Sequence, residues 1–371
     1  MERVSEQLTP ADELFLQRAY ELAARGIGNT APNPPVGALI VREGHVVGEG
    51  YHHRAGDAHA ETHALAQAGS SARGATVYVS LEPCPHVGRT PPCTRALIDA
   101  GIARVVAGTH DPAHHGGAAQ LRESGIDVAI ADDATARVLI EAFERVSRSD
   151  RPYVGLKMAM SLDGVVASRP GVRERLGSEA EGRYVRELRI AYDAVMVGAG
   201  TVRVDDPLLT VRPTHDRLRQ YKRVVACASA PISTGSRVFA RDEGYATTIV
   251  LAPAGLRDRF VELEAMAEVL YVGAPDAVAL DLREAMKDLR ARGIFSVLCE
   301  GGPKLAASLI AGGLVDRVYW AIAPRFLANE SAVPVLAAKN LSLAEMRLRF
   351  DRVERAGDDV ILSGILSMSD V

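Results

Sequence analysis

Apolar and polar positions along this chain predict strands alternating with helices. Thr9 and Pro10 form an N-cap and first-turn pair, with Asp12 suited to that turn. Leu14, Phe15, Ala19, Leu22 and Ala23 follow at helical spacing, and Gly26 ends the run. Val36 to Val41, Glu43-Gly44 and Val46-Val47 read as a hairpin. From His59 the order is helix, strand 76–80, helix from about 92, strand 103–108, strand near 126–130 and helix 133–147. That alternation argues for an α/β layer sandwich. The polar stretch Ser147 to Pro152 reads as a domain junction.

The second half restarts the pattern. Tyr153 to Met160 is a strand candidate ending in Ser161-Leu162-Asp163-Gly164, and a helix is expected over 178–191. Ala194 to Val197 runs into Gly198-Ala199-Gly200-Thr201. Strands near 223–227, 247–251 and 268–272 precede a helix over 277–292. Phe295 to Cys299 leads into Glu300-Gly301-Gly302-Pro303 and a further helix, and 315–322 and 359–365 are antiparallel strand candidates.

Length and composition narrow the class. At 371 residues the chain exceeds one ordinary domain, and 47% hydrophobic content with a formal charge of -4 describes a globular protein. No apolar run approaches a membrane span, and Met1 to Gln7 lacks a signal core, so a cytoplasmic location and no membrane partner are expected. Four cysteines do not make a disulfide framework, and Cys227 and Cys299 read as reduced core residues. Residues 1–150 carry 13 Arg and no Lys against 19 Asp and Glu, a poor footprint for nucleic acid. A free small molecule is the expected substrate; whether the chain forms a homo-oligomer is left open.

The chemistry concentrates in His59-Ala60-Glu61, Glu82-Pro83-Cys84 and Cys93. One imidazole and two thiols leave the fourth position of a zinc ion open, where bound water falls to a pKa near ~7. Glu61 need not be a ligand and is free to shuttle protons. His-x-Glu with a later Pro-Cys is the zinc nucleobase deaminase signature, except that the cysteines here are nine positions apart rather than three. Two plainer readings compete. His86 could close a structural zinc site, or the cysteines could be small buried hydrophobes.

Two glycine segments, 198–201 and 297–305, each follow a strand and precede a helix start. Both could cradle phosphate, yet neither is the G-x-G-x-x-G fingerprint, and such turns are common as plain connections.

The first half resembles the deaminase domain of the bifunctional RibD-type riboflavin-biosynthesis family. The runs that carry this are Thr30 to Gly37, His52 to Gly56, His59 to Glu61, Leu81 to Cys84 and Gly88 to Cys93, and that family has the wider cysteine spacing. The second half resembles the same family's reductase domain through Lys157 to Gly164, Asp193 to Thr201, Asp205 to Arg212 and Glu300 to Pro303. The resemblance implies a cytidine-deaminase-like three-layer sandwich over 1–148 and a dihydrofolate-reductase-like domain over 149–371. It implies Zn2+ and NADPH as cofactors. The implied reactions are deamination of 2,5-diamino-6-(5-phosphoribosylamino)pyrimidin-4(3H)-one and reduction of its ribosyl group to ribityl.

By the same match, His59, Cys84 and Cys93 hold zinc, Glu61 is catalytic, and Asn33, His52, His86 and Arg89 contact the deaminase substrate. Lys157, Arg189, Leu209, Arg212 and Glu300 line the sugar-phosphate site, with Lys157 and Glu300 at the reacting carbon and Asp163 a weaker candidate there. Ala159, Thr201, Asp205, Gly301 and Gly302 hold NADPH. Departures cluster in the second half. Arg173-Glu174-Arg175 stands where the family has Ser-x-Trp, and Cys227 aligns with a usual Asp. In the first half Asp111-Pro112-Ala113-His114 replaces Asp-Pro-Asn-Pro. An alternative is therefore a deaminase of a related pyrimidine with an altered or silent second half; a non-catalytic zinc-binding protein is disfavoured by Glu61.

Overall fold

The computed structural model describes residues 8–86, 91–211, 221–240, 245–337 and 346–368. The chain divides into two compact units, Met1–Ser149 and Asp150–Val371.

The first unit opens with α1 (Pro10–Ala24), whose start is fixed by a capping box. Asp12 N–H donates to Thr9 Oγ1 at 3.2 Å while Thr9 N–H donates to Asp12 Oδ2 at 2.9 Å. The helix buries Leu16, Ala19, Tyr20, Leu22 and Ala23, whereas Leu14 is 69% exposed. The helical period therefore holds, with Ala19, Leu22 and Ala23 buried as predicted, Leu14 turned outward, and Leu16 and Tyr20 completing the buried face. Strands β1 (Gly37–Arg42) and β2 (His45–Tyr51) form the expected hairpin. Its two-residue turn has φ of 52° at Glu43 and 80° at Gly44, as a type I′ turn requires.

Next come α2 (Ala60–Ala68), β3 (Thr76–Val79), α3 (Cys93–Ala100), β4 (Arg104–Ala107), α4 (Gly117–Glu123), β5 (Asp127–Ile130) and α5 (Ala134–Arg148). The sheet order is β2-β1-β3-β4-β5, antiparallel at the hairpin side and parallel from β3 to β5. Alternate strand residues face opposite layers. Leu39, Val41, Tyr78 and Val106 pack with α1 and α5, while Ala38, Ile40, Val77, Val79 and Val105 pack with α2, α3 and α4. This is the three-layer sandwich. Helix α4 was not predicted, being only seven residues long in a segment rich in glycine and histidine.

The second unit contains β6 (Tyr153–Ser161), β7 (Val165–Ala167), α6 (Glu179–Ile190), β8 (Ala194–Gly198), α7 (Ala199–Asp205), β9 (Tyr221–Ala226), β10 (Tyr245–Pro253) and β11 (Glu268–Val272). It continues with α8 (Leu282–Ala291), β12 (Ser296–Cys299), α9 (Pro303–Ala311), β13 (Arg317–Ala323), β14 (Val333–Pro334), β15 (Met346–Ala356) and β16 (Asp359–Met368). Nine strands pair in the order β11-β10-β9-β8-β12-β6-β13-β16-β15. All are parallel from β11 to β13; β16 and β15 are antiparallel additions. Met196, Val224, Leu251, Met286 and Leu309 fill the core on the α8–α9 face, and Val195, Val225, Val250 and Phe260 fill the other.

Strand β15 was not predicted because its outward positions are charged and a register irregularity between Phe350 and Arg352 breaks the alternation. The glycine run 198–201, expected as a backbone approach, largely enters α7.

Candidate functional sites

In the first unit the site grows from two helix starts. His59 is the N-cap of α2, so Glu61 falls in its first turn, and Cys93 is the first residue of α3. Helix α2 lies hard against β2. A Cβ placed on Gly50 would come within 2.4 Å of His63 Cβ and 2.7 Å of the Ala60 carbonyl oxygen, so glycine there sets how close the His-x-Glu turn approaches the sheet. Cys84 comes from the loop after β3, and Cys93 N–H points at its sulfur at 3.5 Å.

His59 Nδ1 lies 3.1 Å from Cys93 Sγ and 3.6 Å from Cys84 Sγ, and all three donor atoms fall within 4.8 Å of one another. Hydrogen bonds from the Cys93 thiol and from His59 push Cys84 down to about 4, against burial, and the same contact pushes Cys93 up. Two soft sulfurs and one imidazole nitrogen, half-buried to buried, suit a tetrahedral zinc ion with one position to spare. His86 is not in this group; its ring stacks on His114 with centroids 4.0 Å apart.

Glu61 is 4% exposed, and burial raises its carboxyl above the usual range while His59 opposes the rise. His52 stands edge-on to His59 at 5.5 Å. Its Nδ1 meets the Ala58 carbonyl at 3.1 Å and its Nε2 meets Asn33 Nδ2 at 3.1 Å, a pairing in which the ring donates at one end and accepts at the other. Burial lowers its pKa, which keeps the ring neutral. Asn33 and His52 thus stand together beside the zinc group. Arg89 lies outside the described residues.

Sequence reading missed Glu82. Its buried carboxylate accepts Ala118 N–H at 2.8 Å and meets His110 Nδ1 at 2.9 Å. It therefore ties the first turn of α4 and the 110–118 loop to the Pro83-Cys84 turn. Glu82 directly precedes the Pro-Cys pair, and that adjacency was the available signal.

The second unit holds a cleft of about 1110 Å³. Lys157, Ala159, Arg189, Thr201, Asp205, Leu209, Glu300, Gly301 and Gly302 all line it, so the predicted positions within the described residues converge; Arg212 lies outside them. Arg189 is engaged by another residue of the cleft. Its fork is closed on Glu300, with Nε to Oε1 at 2.5 Å and Nη2 to Oε2 at 2.7 Å, and Nη1 donates to the Thr210 carbonyl. Glu300 is therefore held in an ion pair and does not cap α9, whose N-cap is Gly302.

Without a capping side chain there, the start of α9 opens on the cleft, and the Gly302 N–H is turned to Thr201 Oγ1 at 3.1 Å. A glycine-lined, uncapped helix start on a cleft of this size fits the phosphates of a dinucleotide such as NADPH. Asp163 is not among the residues that line the cleft. It accepts Leu327 and Ala328 N–H and the Ser161 hydroxyl, which makes it a loop anchor. Of the departures, Arg173 reaches Asp205 at 3.8 Å across the cleft and Glu174 accepts from Ser168 Oγ at 2.6 Å. Burial pushes the Cys227 thiol up to about 12, as expected of a core cysteine. A further carboxylate in the cleft, Glu181, was also missed; it pairs with Lys157.

Residues 9–109 match the family model for the cytidine and deoxycytidylate deaminase zinc-binding region, and 152–362 match that for the RibD C-terminal domain. The riboflavin biosynthesis protein RibD of Escherichia coli is 37% identical over 95% of this chain and 98% of its own length. That of Aquifex aeolicus is 36% identical over 95% and 97%. Among solved structures, Acinetobacter baumannii RibD superposes with a TM-score of 0.81 at 33% identity, covering 96% of this chain and 99% of that one. A Thermotoga maritima diaminohydroxyphosphoribosylaminopyrimidine deaminase/5-amino-6-(5-phosphoribosylamino)uracil reductase gives 0.76 at 31% identity, covering 97% and 99%.

Proposed function

The chain belongs to the RibD family of bifunctional riboflavin-biosynthesis enzymes, and we infer that its first unit carries the deamination and its second the reduction. It is a zinc-dependent deaminase and an NADPH-dependent reductase. The substrate we assign is the diaminopyrimidinone ribosylamine 5′-phosphate; the acidic first half supports a free small molecule over a polynucleotide.

For the deamination, His59, Cys84 and Cys93 would hold zinc, which supplies the Lewis acidity that makes water a nucleophile at neutral pH. Glu61 takes one proton from the attacking water and passes it to a ring nitrogen; it then takes the second, from the added hydroxyl as that becomes the carbonyl, and gives it to the amine as the C–N bond breaks and ammonia leaves. Its burial suits both halves of that cycle, because a carboxyl raised toward neutrality accepts and returns a proton readily. The Asn33–His52 pair would orient the pyrimidine, a neutral ring and an amide being matched to its polar edge.

For the reduction, Thr201, Asp205, Gly301 and Gly302 would hold NADPH, which would supply the hydride for C1 of the ring-opened sugar imine. Lys157 donates the proton that the imine nitrogen takes up as the C=N π bond breaks, and recovers it from solvent. Glu300, fixed by Arg189, would accept hydrogen bonds from the sugar hydroxyls.

The observation that carries this reading is the meeting of His59, Cys84 and Cys93 within 4.8 Å, beside the buried Glu61. The test is ammonia release from the diaminopyrimidinone by the zinc-loaded protein. Release by wild type and none by Glu61→Gln is expected; equal release by both overturns it.

A further inference from the structure

Two ion pairs lie side by side in the cleft of the second unit, and one carboxylate in them, Glu181, belongs to none of the family motifs. Lys157 Nζ lies 2.5 Å from Glu181 Oε1, with the two side chains 13% and 10% exposed. Glu181 and Arg189 stand eight residues apart on α6 and so leave the same helix face. Across from them, Lys157 on β6 and Glu300 just after β12 come from adjacent parallel strands. The pairs are crossed, helix anion to sheet cation and helix cation to sheet anion.

The seat of Glu181 is built for it. Its N–H donates to Ser178 Oγ at 3.2 Å, the N-cap bond of α6. Ser178 is in turn tied to the β15–β16 hairpin, its N–H to Asp359 Oδ2 at 2.7 Å and its hydroxyl to the Ala356 carbonyl at 3.1 Å. The second carboxylate oxygen rests against Gly177, where a Cβ would come within 2.4 Å. A lysine on four rotatable bonds has no fixed direction of its own, and a nearly buried charge without a partner is strongly disfavoured.

We propose that Glu181 is a positioning residue for the reduction, clamping the Lys157 ammonium so that it meets the sugar C–N unit in one orientation. The inference rests on the assignment of the reduction to this unit and of the proton transfer to Lys157. It explains why the carboxylate sits inside a cleft that must take an anionic sugar phosphate. A bare glutamate there would repel the ligand, whereas one neutralised by Lys157 does not.

The experiment is steady-state NADPH oxidation by the full-length zinc-loaded enzyme with the deaminated intermediate, comparing wild type, Glu181→Gln and Glu181→Asp. Glu181→Gln should lower kcat on the order of 10²-fold with KM for both substrates held within about threefold, since misplacement costs rate more than binding. Ammonia release should be unchanged. Glu181→Asp, which keeps the charge on a shorter stem, should recover part of the lost rate. Wild-type kcat in Glu181→Gln overturns the proposal, as does a loss confined to KM. Should Glu181→Gln fail to fold, Glu181→Ala decides, and a wild-type kcat there overturns the proposal equally. No turnover by wild type itself would instead remove the reductase assignment, a result distinct from the variant failures.

Discussion

Cys84 and Cys93 are chemically unequal although they would serve one metal. The contact between the two thiols lowers Cys84 and raises Cys93, so the pair shares a proton that a bound cation would displace. Zinc uptake should therefore release protons, and Cys84→Ser and Cys93→Ser should each lose the metal. Metal analysis checks this; full zinc retention in both variants would rule out the ligand set. Glu61→Gln should retain zinc yet lose ammonia release by on the order of 10²–10⁴-fold. At this scale the sequence was most informative for the deaminase, because the ligands sit in short runs with fixed spacing. It was least informative where a role depends on a partner far along the chain. Nothing near Arg189 in sequence announces that Glu300, 111 residues on, closes its fork. Glu181 lay within a correctly expected helix, but only the fold shows that its face meets Lys157. Asp163 was misjudged for the converse reason, since its partners at 327 and 328 are equally remote.

Among the elements, α1 and the His-x-Glu turn of α2 invite direct tests. Asp12 caps α1 and also accepts from Tyr78 Oη at 2.8 Å and Arg104 Nη1 at 2.8 Å, joining the helix to β3 and β4. Burial alone would raise its pKa, but the hydrogen bonds from Thr9, Tyr78 and Arg104 bring it down to about 2. A carboxyl whose folded pKa lies below its unfolded value stabilises the fold above the unfolded value, and that contribution fades as pH falls toward the folded one. Asp12→Asn should therefore cost about 2 kcal/mol at neutral pH. The gap to wild type should close between about pH 4 and 2, as followed by denaturant unfolding; a gap independent of pH would refute the linkage. Gly50→Ala pushes a methyl into the first turn of α2. It should destabilise by about 1–3 kcal/mol and weaken zinc retention together. Loss of stability with zinc and deamination intact would separate the packing from the site. The long periodic elements were legible because burial imposes the period. Helix α4 and strand β15 were not, one being too short and the other too charged for a pattern to emerge.

For the molecule as a whole, the central claim is that one chain performs two successive reactions with separate residues. Glu61→Gln should therefore leave reduction of the deaminated intermediate at the wild-type rate, and Glu300→Gln should leave ammonia release untouched. Mutual loss in either variant would contradict that division. The altered segment Arg173-Glu174-Arg175 bears on the second reaction alone, and the cleft it borders keeps the Lys157–Glu181 and Arg189–Glu300 pairs intact. The most direct measurement follows ammonia release and NADPH oxidation in one sample of full-length zinc-loaded protein given the diaminopyrimidinone substrate. Ammonia should appear first and NADPH should then be consumed in equal amount. Ammonia release with NADPH unconsumed would contradict the account and leave a deaminase joined to a silent reductase fold.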